Sequence, residues 1–213
     1  MPKNEENIHF SKIPKDLEKP LDFSLTNEGE YENLELDHYD FSRARVTILE
    51  FKDCYFKNCK LNNLKLSKLS LINVKFENCD WANSEIKELY VNNVDFEKCR
   101  LTGLISNEGI FKETLYKNCQ LNFAQFRFAK LKHIIFDHCP LNEADFYAAQ
   151  LLKTVFLDCD LAKTEMSKTK NLETDLRTSN IAGMNIGIED LKGIIVDRAQ
   201  INDLIWLLKV DIR

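Results

Sequence analysis

Hydrophobic residues in this chain recur every five positions. Stepping in fives from Leu36 to Ile201 visits 34 positions, all apolar or aromatic except Ser106 and Asn171. An amphipathic helix returns its apolar face at three and four residues and a half-buried strand at two, so neither ordinary period explains the pattern. A second column lies two residues ahead, from Leu34 to Ala199. Its members are mostly small or apolar, as at Ala44, Val74, Ala124, Ala144 and Thr164, with Glu189 the one charged member. The other positions of each five carry the Asn, Asp, Lys, Glu and Arg. Two inward positions and three outward ones make one side of a coil.

A longer period sits on top of the first. "FKNCK", "FENCD", "FEKCR", "YKNCQ", "FDHCP" and "FLDCD" place Phe56, Phe76, Phe96, Tyr116, Phe136 and Phe156 twenty residues apart, with Cys59, Cys79, Cys99, Cys119, Cys139 and Cys159 in step. Four five-residue sides close one turn, so residues twenty apart stack into core ladders. Leu61, Trp81, Leu101, Leu121, Leu141 and Leu161 form the next ladder. With coils spaced like paired strands, about 4.8 Å apart, the repeat makes about eight coils and a rod on the order of 40 Å long. Two places strain the pattern. In "LISNEGIF", Leu104 to Phe111, Ser106 takes the central position and Gly109 the small one, which predicts a local bulge or outward turn; in "KTKNLETD", Asn171 is central.

The ends depart from the frame. Met1 to Glu30 is charged, holds Pro2, Pro14 and Pro20, and reads as a lead followed by an N-terminal cap docking through Ile13, Leu17, Leu21 and Phe23. Residues 31–196 are the repeat, and 197–213 a C-terminal helix and short strand. There Asp197 and Gln200 fit a helix-initiating pair, ahead of apolar residues at helical spacing. A helix this apolar needs cover on more than one side, so Ile201, Leu204, Ile205, Trp206 and Leu208, with Val210 and Ile212 beyond, are expected to cap the last coil and join a second chain.

"ADF" at Ala144, "CDL" at Cys159, "CDW" at Cys79 and "VDF" at Val94 resemble the pentapeptide repeat family: a small residue, Asp or Asn, Leu or Phe, then two variable residues. That resemblance covers roughly Leu34 to Ala199 and implies an all-β solenoid, a right-handed quadrilateral β-helix with a capping and dimerisation helix. The tail, an Asp and Gln before an apolar helix ending in "VDI", resembles the C-terminal module of quinolone-resistance (Qnr-type) and mycobacterial gyrase-binding members. It implies a homodimer joined tail to tail.

Composition narrows the chemistry. The formal charge of −5 is spread thinly, and the repeat is near neutral, which argues against direct binding to nucleic acid. No stretch approaches the length of a membrane span, and "MPKNEENIHF" does not read as a signal peptide, so a cytoplasmic protein with free thiols is expected. All seven cysteines, Cys54 included, fall in the inward small column, at spacings that match no usual zinc pattern, while His133 and His138 sit outward. Parallel stacked thiols would have Cβ atoms beyond the preferred disulfide distance, so the thiols are expected as small core hydrophobes. Phosphate loops and "GxSxG" are absent, and six glycines leave little loop material for an active site. No cofactor, no metal and no enzymatic activity are expected.

That leaves the outward faces. Asn58, Asn78 and Asn118, and Asn73 with Asn93, are expected to hydrogen-bond along the coils. Leu115, Ile135 and Val155 form an outward apolar column, either a partner-binding stripe or a place where a loop lies down. The leading functional expectation, implied by the tail, is a DNA mimic that binds a type II topoisomerase, DNA gyrase or topoisomerase IV, and protects it from quinolones. Asp80, Glu85, Asp95, Glu97, Asp145, Asp158, Asp160 and Glu165 would then stand in for phosphates, with Ser106, Asn107 and Glu108 on a projecting loop. Lys60, Lys65, Lys75, Arg100 and Lys163 interrupt those acidic columns. The alternative is a general structural or protein-interaction module with an unrelated partner. A thiol redox protein, the third reading, needs an accessible cysteine of low pKa.

Overall fold

A chain whose inward residues return every five positions can bury them only by turning a corner in each five. The structure, a computed structural model describing residues 11–208, does this with the backbone itself. Twenty-five non-glycine residues take left-handed φ values of 47° to 62°. From Glu28 to Glu173 every one sits two places after a central position of the five-residue frame, as do Gly103, Gly183 and Gly193. Their N–H groups point along the rod: Asn58 donates to the Glu77 carbonyl at 3.0 Å and Asn78 to that of Glu97 at 2.9 Å. L residues avoid this conformation, Asn least and β-branched residues most. Eight of the twenty-five are Asn and none is Val, Ile or Thr. Ile48, which shares their phase, instead lies in an extended strand.

Between corners run short strands: β1 (Gly29–Glu32), β2 (Glu35–Asp37), β3 (Ile48–Lys52), β4 (Tyr55–Lys57), β5 (Lys65–Glu77), β6 (Glu85–Glu97), β7 (Ile110–Lys117), β8 (Lys130–Asp137), β9 (Gln150–Leu157), β10 (Lys170–Leu172), β11 (Thr174–Asp175) and β12 (Ile194–Ile195). All pairing is parallel at a step of twenty, as in Phe76 with Phe96 and Phe136 with Phe156. The result is a parallel β-solenoid of about eight turns with a short helix at its C-terminal end.

Inside, identical side chains stand on one another. Phe56, Phe76, Phe96, Tyr116, Phe136 and Phe156 stack with ring centroids 4.7 to 5.0 Å apart. Phe126 and Phe146 form a second stack at 5.1 Å and meet the Phe136 ring nearly edge-on. The seven thiols are buried and unpaired by disulfides. They are more than small hydrophobes, because most donate to a carbonyl twenty-three residues back: Cys119 Sγ to Phe96 at 3.2 Å, Cys139 Sγ to Tyr116 at 3.3 Å, Cys159 Sγ to Phe136 at 3.3 Å. Ser84 and Ser179 make the same bond with hydroxyls, at 2.7 and 2.8 Å. The small column is a donor column that ties each coil to the one below.

The expected bulge over Leu104 to Phe111 does not exist. Ser106 is fully buried, its hydroxyl donating to the Gln125 carbonyl at 3.2 Å, and Ile105 keeps its bridges to Glu85 and Gln125. A hydroxyl with a carbonyl partner is tolerated in the core, so the coil continues unbroken. At Asn171 the side-chain amide donates to Thr169 Oγ1 and to the Asp190 carbonyl, and β10 stays in register with β9.

Both ends are closed. Glu18 pairs with Leu34, and Phe23 packs edge-on against Tyr31, Tyr39 and Phe41. Leu21, expected to dock there, is fully exposed; Leu25 takes the place beside Phe23. At the other end Asp197 Oδ1 accepts from Ala199 N at 2.9 Å and Gln200 Oε1 from Asp197 N at 2.7 Å. The Gln200 amide also caps the solenoid, donating to the Leu176 and Ser179 carbonyls at 2.7 Å each. The helix is shorter than its apolar spacing suggested: 3-10 turns flank α1 (Ile201–Leu204) on both sides. The five-residue frame also ends early, with Ile186 buried but Ile201 52% exposed.

These constraints separate two costs. Phe136→Ala should lose about 3–5 kcal/mol through the cavity left between two aromatic stacks. Asn78→Val should lose about 1–2 kcal/mol without losing any buried contact, because a β-branched residue resists the left-handed corner. Urea midpoints measure both, and an Asn78→Val change of zero would contradict the corner argument.

Candidate interaction surface

Inward chemistry leaves little to work with. Among the described residues no three His, Cys, Asp or Glu side chains converge as a metal site, and no helix is long and apolar enough to cross a membrane. An interior void beside Trp81, Phe111 and Tyr116 measures only about 10 Å³, room for a single water. Burial pushes the Cys54 thiol up to about 11 and that of Cys99 well above its ordinary value; hydrogen bonds with the Cys119 and Cys159 thiols draw Cys139 below its own, but Cys139 is buried and not accessible.

The candidate acidic residues divide among several faces. Asp80 and Asp160 share one column, Glu85, Asp145 and Glu165 another, and Glu97 and Asp158 lie near a third corner. Two expected contact residues are not available at all. Ser106 is in the core, and Asp95 is 9% exposed because Ser11 lies over it, donating N–H and Oγ–H to Asp95 Oδ2 at 3.2 and 2.9 Å. Most others are already partnered. Asp80 meets Arg100 at 3.0 Å, Glu97 meets Lys75 and Lys98, Asp158 lies 3.7 Å from His138, and Asp160 accepts from Asn142 and Asn180. Asn107 Oδ1 accepts the Arg127 backbone N–H at 3.0 Å, and Glu108 is an exposed left-handed corner.

The face that carries Asp145 and Glu165 has a second set of residues that the five-residue frame did not single out. Phe123 and Phe128 stand at its two corners, 53% and 48% exposed, both in the left-handed conformation. Aromatic residues rarely occupy that region, and about half of each residue's surface stays exposed here. Phe128 meets Tyr147 edge-on at 5.6 Å. The Arg127 guanidinium lies 4.6 Å from the Tyr147 ring centre and the Lys168 ammonium 5.2 Å from it, the first a favourable cation–π distance. Asp145 holds Arg127 in place through a 2.7 Å bond to Nη1 while accepting the Tyr147 N–H at 2.8 Å. Burial raises the Glu165 pKa, but hydrogen bonds from Ser167 and Asn185 outweigh it and keep the carboxyl below its ordinary value. Two phenylalanines at corner positions that mostly carry Asn or a charged residue were the signal to find.

At the C-terminal end Ile201 and Trp206 are half exposed, Leu204 and Leu207 pack on the core, and Ile205 is partly buried. The Leu208 side chain, Val210 and Ile212 lie outside the described residues.

Two family models match the repeat, "Pentapeptide repeat region" over residues 49–126 and "Pentapeptide repeats (8 copies)" over residues 119–151. Residues 49–151 carry pentapeptide repeats. Among solved structures it is similar to full-length QnrB1, a plasmid-mediated fluoroquinolone resistance protein, at 18% identity and a TM-score of 0.42, covering 85% of this chain and 100% of that one. It is also similar to HetL, involved in heterocyst differentiation regulation in the cyanobacterium Nostoc sp. strain PCC 7120, at 15% identity and a TM-score of 0.43, covering 78% and 89%. No curated protein matches it significantly. What this chain binds must be read from its own surface.

Phe123 supplies a direct check. If its ring is kept for a partner and not for the fold, Phe123→Asn should leave stability unchanged or raise it by up to about 1 kcal/mol, because Asn suits the corner better. A loss of more than 1 kcal/mol in denaturant unfolding would assign the ring to the fold.

Proposed function

We propose that this chain is a non-enzymatic binding protein that engages a partner protein through the face carrying Phe128, Tyr147 and Arg127. The observation that carries the reading is an aromatic pair, exposed Phe128 against half-buried Tyr147, braced by a guanidinium that is itself fixed by Asp145. Aromatic and Arg side chains are the residues most enriched at the energetic centres of protein interfaces, and a pre-ordered arrangement binds with little entropy loss.

The partner that the tail resemblance implies is a type II topoisomerase, DNA gyrase or topoisomerase IV, approached as a DNA mimic. Ion pairing weighs against phosphate mimicry here: Asp80, Glu97 and Asp145 each have a basic partner, so no face offers an unbroken run of free carboxylates. A general interaction module asks nothing of charge and fits the aromatic face better. Homodimerisation through Ile201, Trp206 and the residues after them, and a cytoplasmic location, complete the proposal.

A gyrase supercoiling assay, with and without a fluoroquinolone, separates the two. Inhibition or drug rescue at micromolar protein, lost at least tenfold in Arg127→Ala/Tyr147→Ala, would join both readings. Neither effect in the wild type removes the topoisomerase partner, and affinity capture with wild type against the double variant then tests the face: a partner held equally by both would end that proposal as well.

A further inference from the structure

Strands β1, β3, β5, β6, β7, β8, β9 and β10 lie one above another along one side of the solenoid. An outward column of that side starts with Glu30 and Glu50, passes Tyr90 and Ile110, and ends with Lys130 and Lys170. Charge changes sign along the side. Residues 28–33 and 48–53 carry Glu28, Glu30, Glu32, Glu50 and Asp53 against Lys52 alone, whereas residues 128–133, 148–153 and 168–173 carry Lys130, Lys132, Lys153, Lys168 and Lys170 against Glu173 alone. Glu28, Glu30, Glu32 and the five lysines are exposed, and Glu50 is part-buried. Lys52 pairs with Glu32 and lies near Asp53, but Glu30, Glu50, Lys130 and Lys170 form no ion pair among the described residues. Each end imposes its own field. The Lys52 pKa is raised, first by the bond to Glu32 and further by Asp53 and Glu50, while that of His133 is lowered by burial and then by Lys132 and Lys153.

We infer that this side binds a second copy of the chain turned end for end, the acidic coils of each copy lying on the basic coils of the other. A two-fold axis parallel to the strands, passing between Tyr90 and Ile110, keeps each column opposite itself and reverses its order. Glu30 then faces Lys170 of the second copy, Glu50 lies one coil away from Lys130 of the second copy, and Tyr90 meets Ile110 of the second copy at the centre. Charge decides the orientation, because a parallel pair would set acid on acid. The contact is long and narrow. It runs seven coil steps from Glu30 to Lys170, about 34 Å, but is a single five-residue side wide. That places it at the small end of specific interfaces, so the association is weak and salt-sensitive and rests on complementary charge. It is separate from any contact through Trp206, which follows the last coil.

The test is zero-length carbodiimide crosslinking of the full chain at high concentration in low salt, read by mass spectrometry. Within one chain Glu30 and Lys170 are about 34 Å apart, so an amide between their side chains can only join two chains. A pair joined through the C-terminal ends would hold them farther apart still. The expected product links the peptide carrying Glu30 or Glu50 to the one carrying Lys130 or Lys170, with a yield that falls at least tenfold in 1 M salt. Lys132→Glu/Lys153→Glu keeps both crosslinking partners and reverses the field around one of them. It should lower the yield at least fivefold, with a melting temperature within about 3 °C of the wild type confirming an intact solenoid. No such product from the wild type, or products that join Glu30 and Glu50 only to lysines of other sides, would overturn the proposal. So would a yield unchanged by salt or by the folded variant.

Discussion

Everything in this protein follows from one requirement, that the backbone of each coil pair in parallel with the coil twenty residues away. That pairing places every side chain directly above a counterpart, about 4.8 Å distant. A position in the sequence is therefore a position in a column, and a residue is acceptable only if it stacks on itself or on something equivalent. Flat rings satisfy the rule at centroid distances near 5 Å, and thiols and hydroxyls satisfy it by donating to the carbonyl below. Stability accrues by nearest neighbours, as in other solenoids, so one polar residue such as Ser106 disturbs one coil and no more.

Corners are the second half of the mechanism. Folding five residues into one side demands a left-handed residue at the turn, and the chain meets that demand with Asn where it can. In one expected ladder Asn78 Nδ2 donates to Asn58 Oδ1 at 2.7 Å, whereas Asn73 Nδ2 donates to Asp53 Oδ1, and such pairing is secondary to the conformation that put these residues there. Where Phe123 and Phe128 occupy such corners, the local backbone preference has been overridden. A backbone cost at rings left half exposed is what one expects of residues retained for something outside the fold.

How much of this was legible beforehand divides cleanly by range. The central column, the small column and the twenty-residue step are local arithmetic, and they were visible from Leu36 onward. The capping pair Asp197 and Gln200 was also local, though the backbone carbonyls that Gln200 closes lie more than twenty residues away and could not be seen. What failed was whatever depended on distant cover or on backbone dihedrals. Asp95 read as an exposed carboxylate because its lid, Ser11, is 84 residues away. Ser106 read as a loop because polarity at a core position suggests exposure until a carbonyl partner is found for it. Phe123 and Phe128 were overlooked because a search for two inward columns treats all outward positions alike.

The step of twenty also governs how such a protein can change in length. Removing one five-residue unit would not shorten the rod by a quarter coil; it would rotate everything beyond it by one side, setting Phe136 above Phe111 in the place of Leu131 and moving Tyr147 to a different face. Only insertions and deletions of whole coils preserve the vertical alignment of both core and surface. Lineages of this architecture are therefore expected to lengthen and shorten in integral turns, with point changes left to adjust what each face displays.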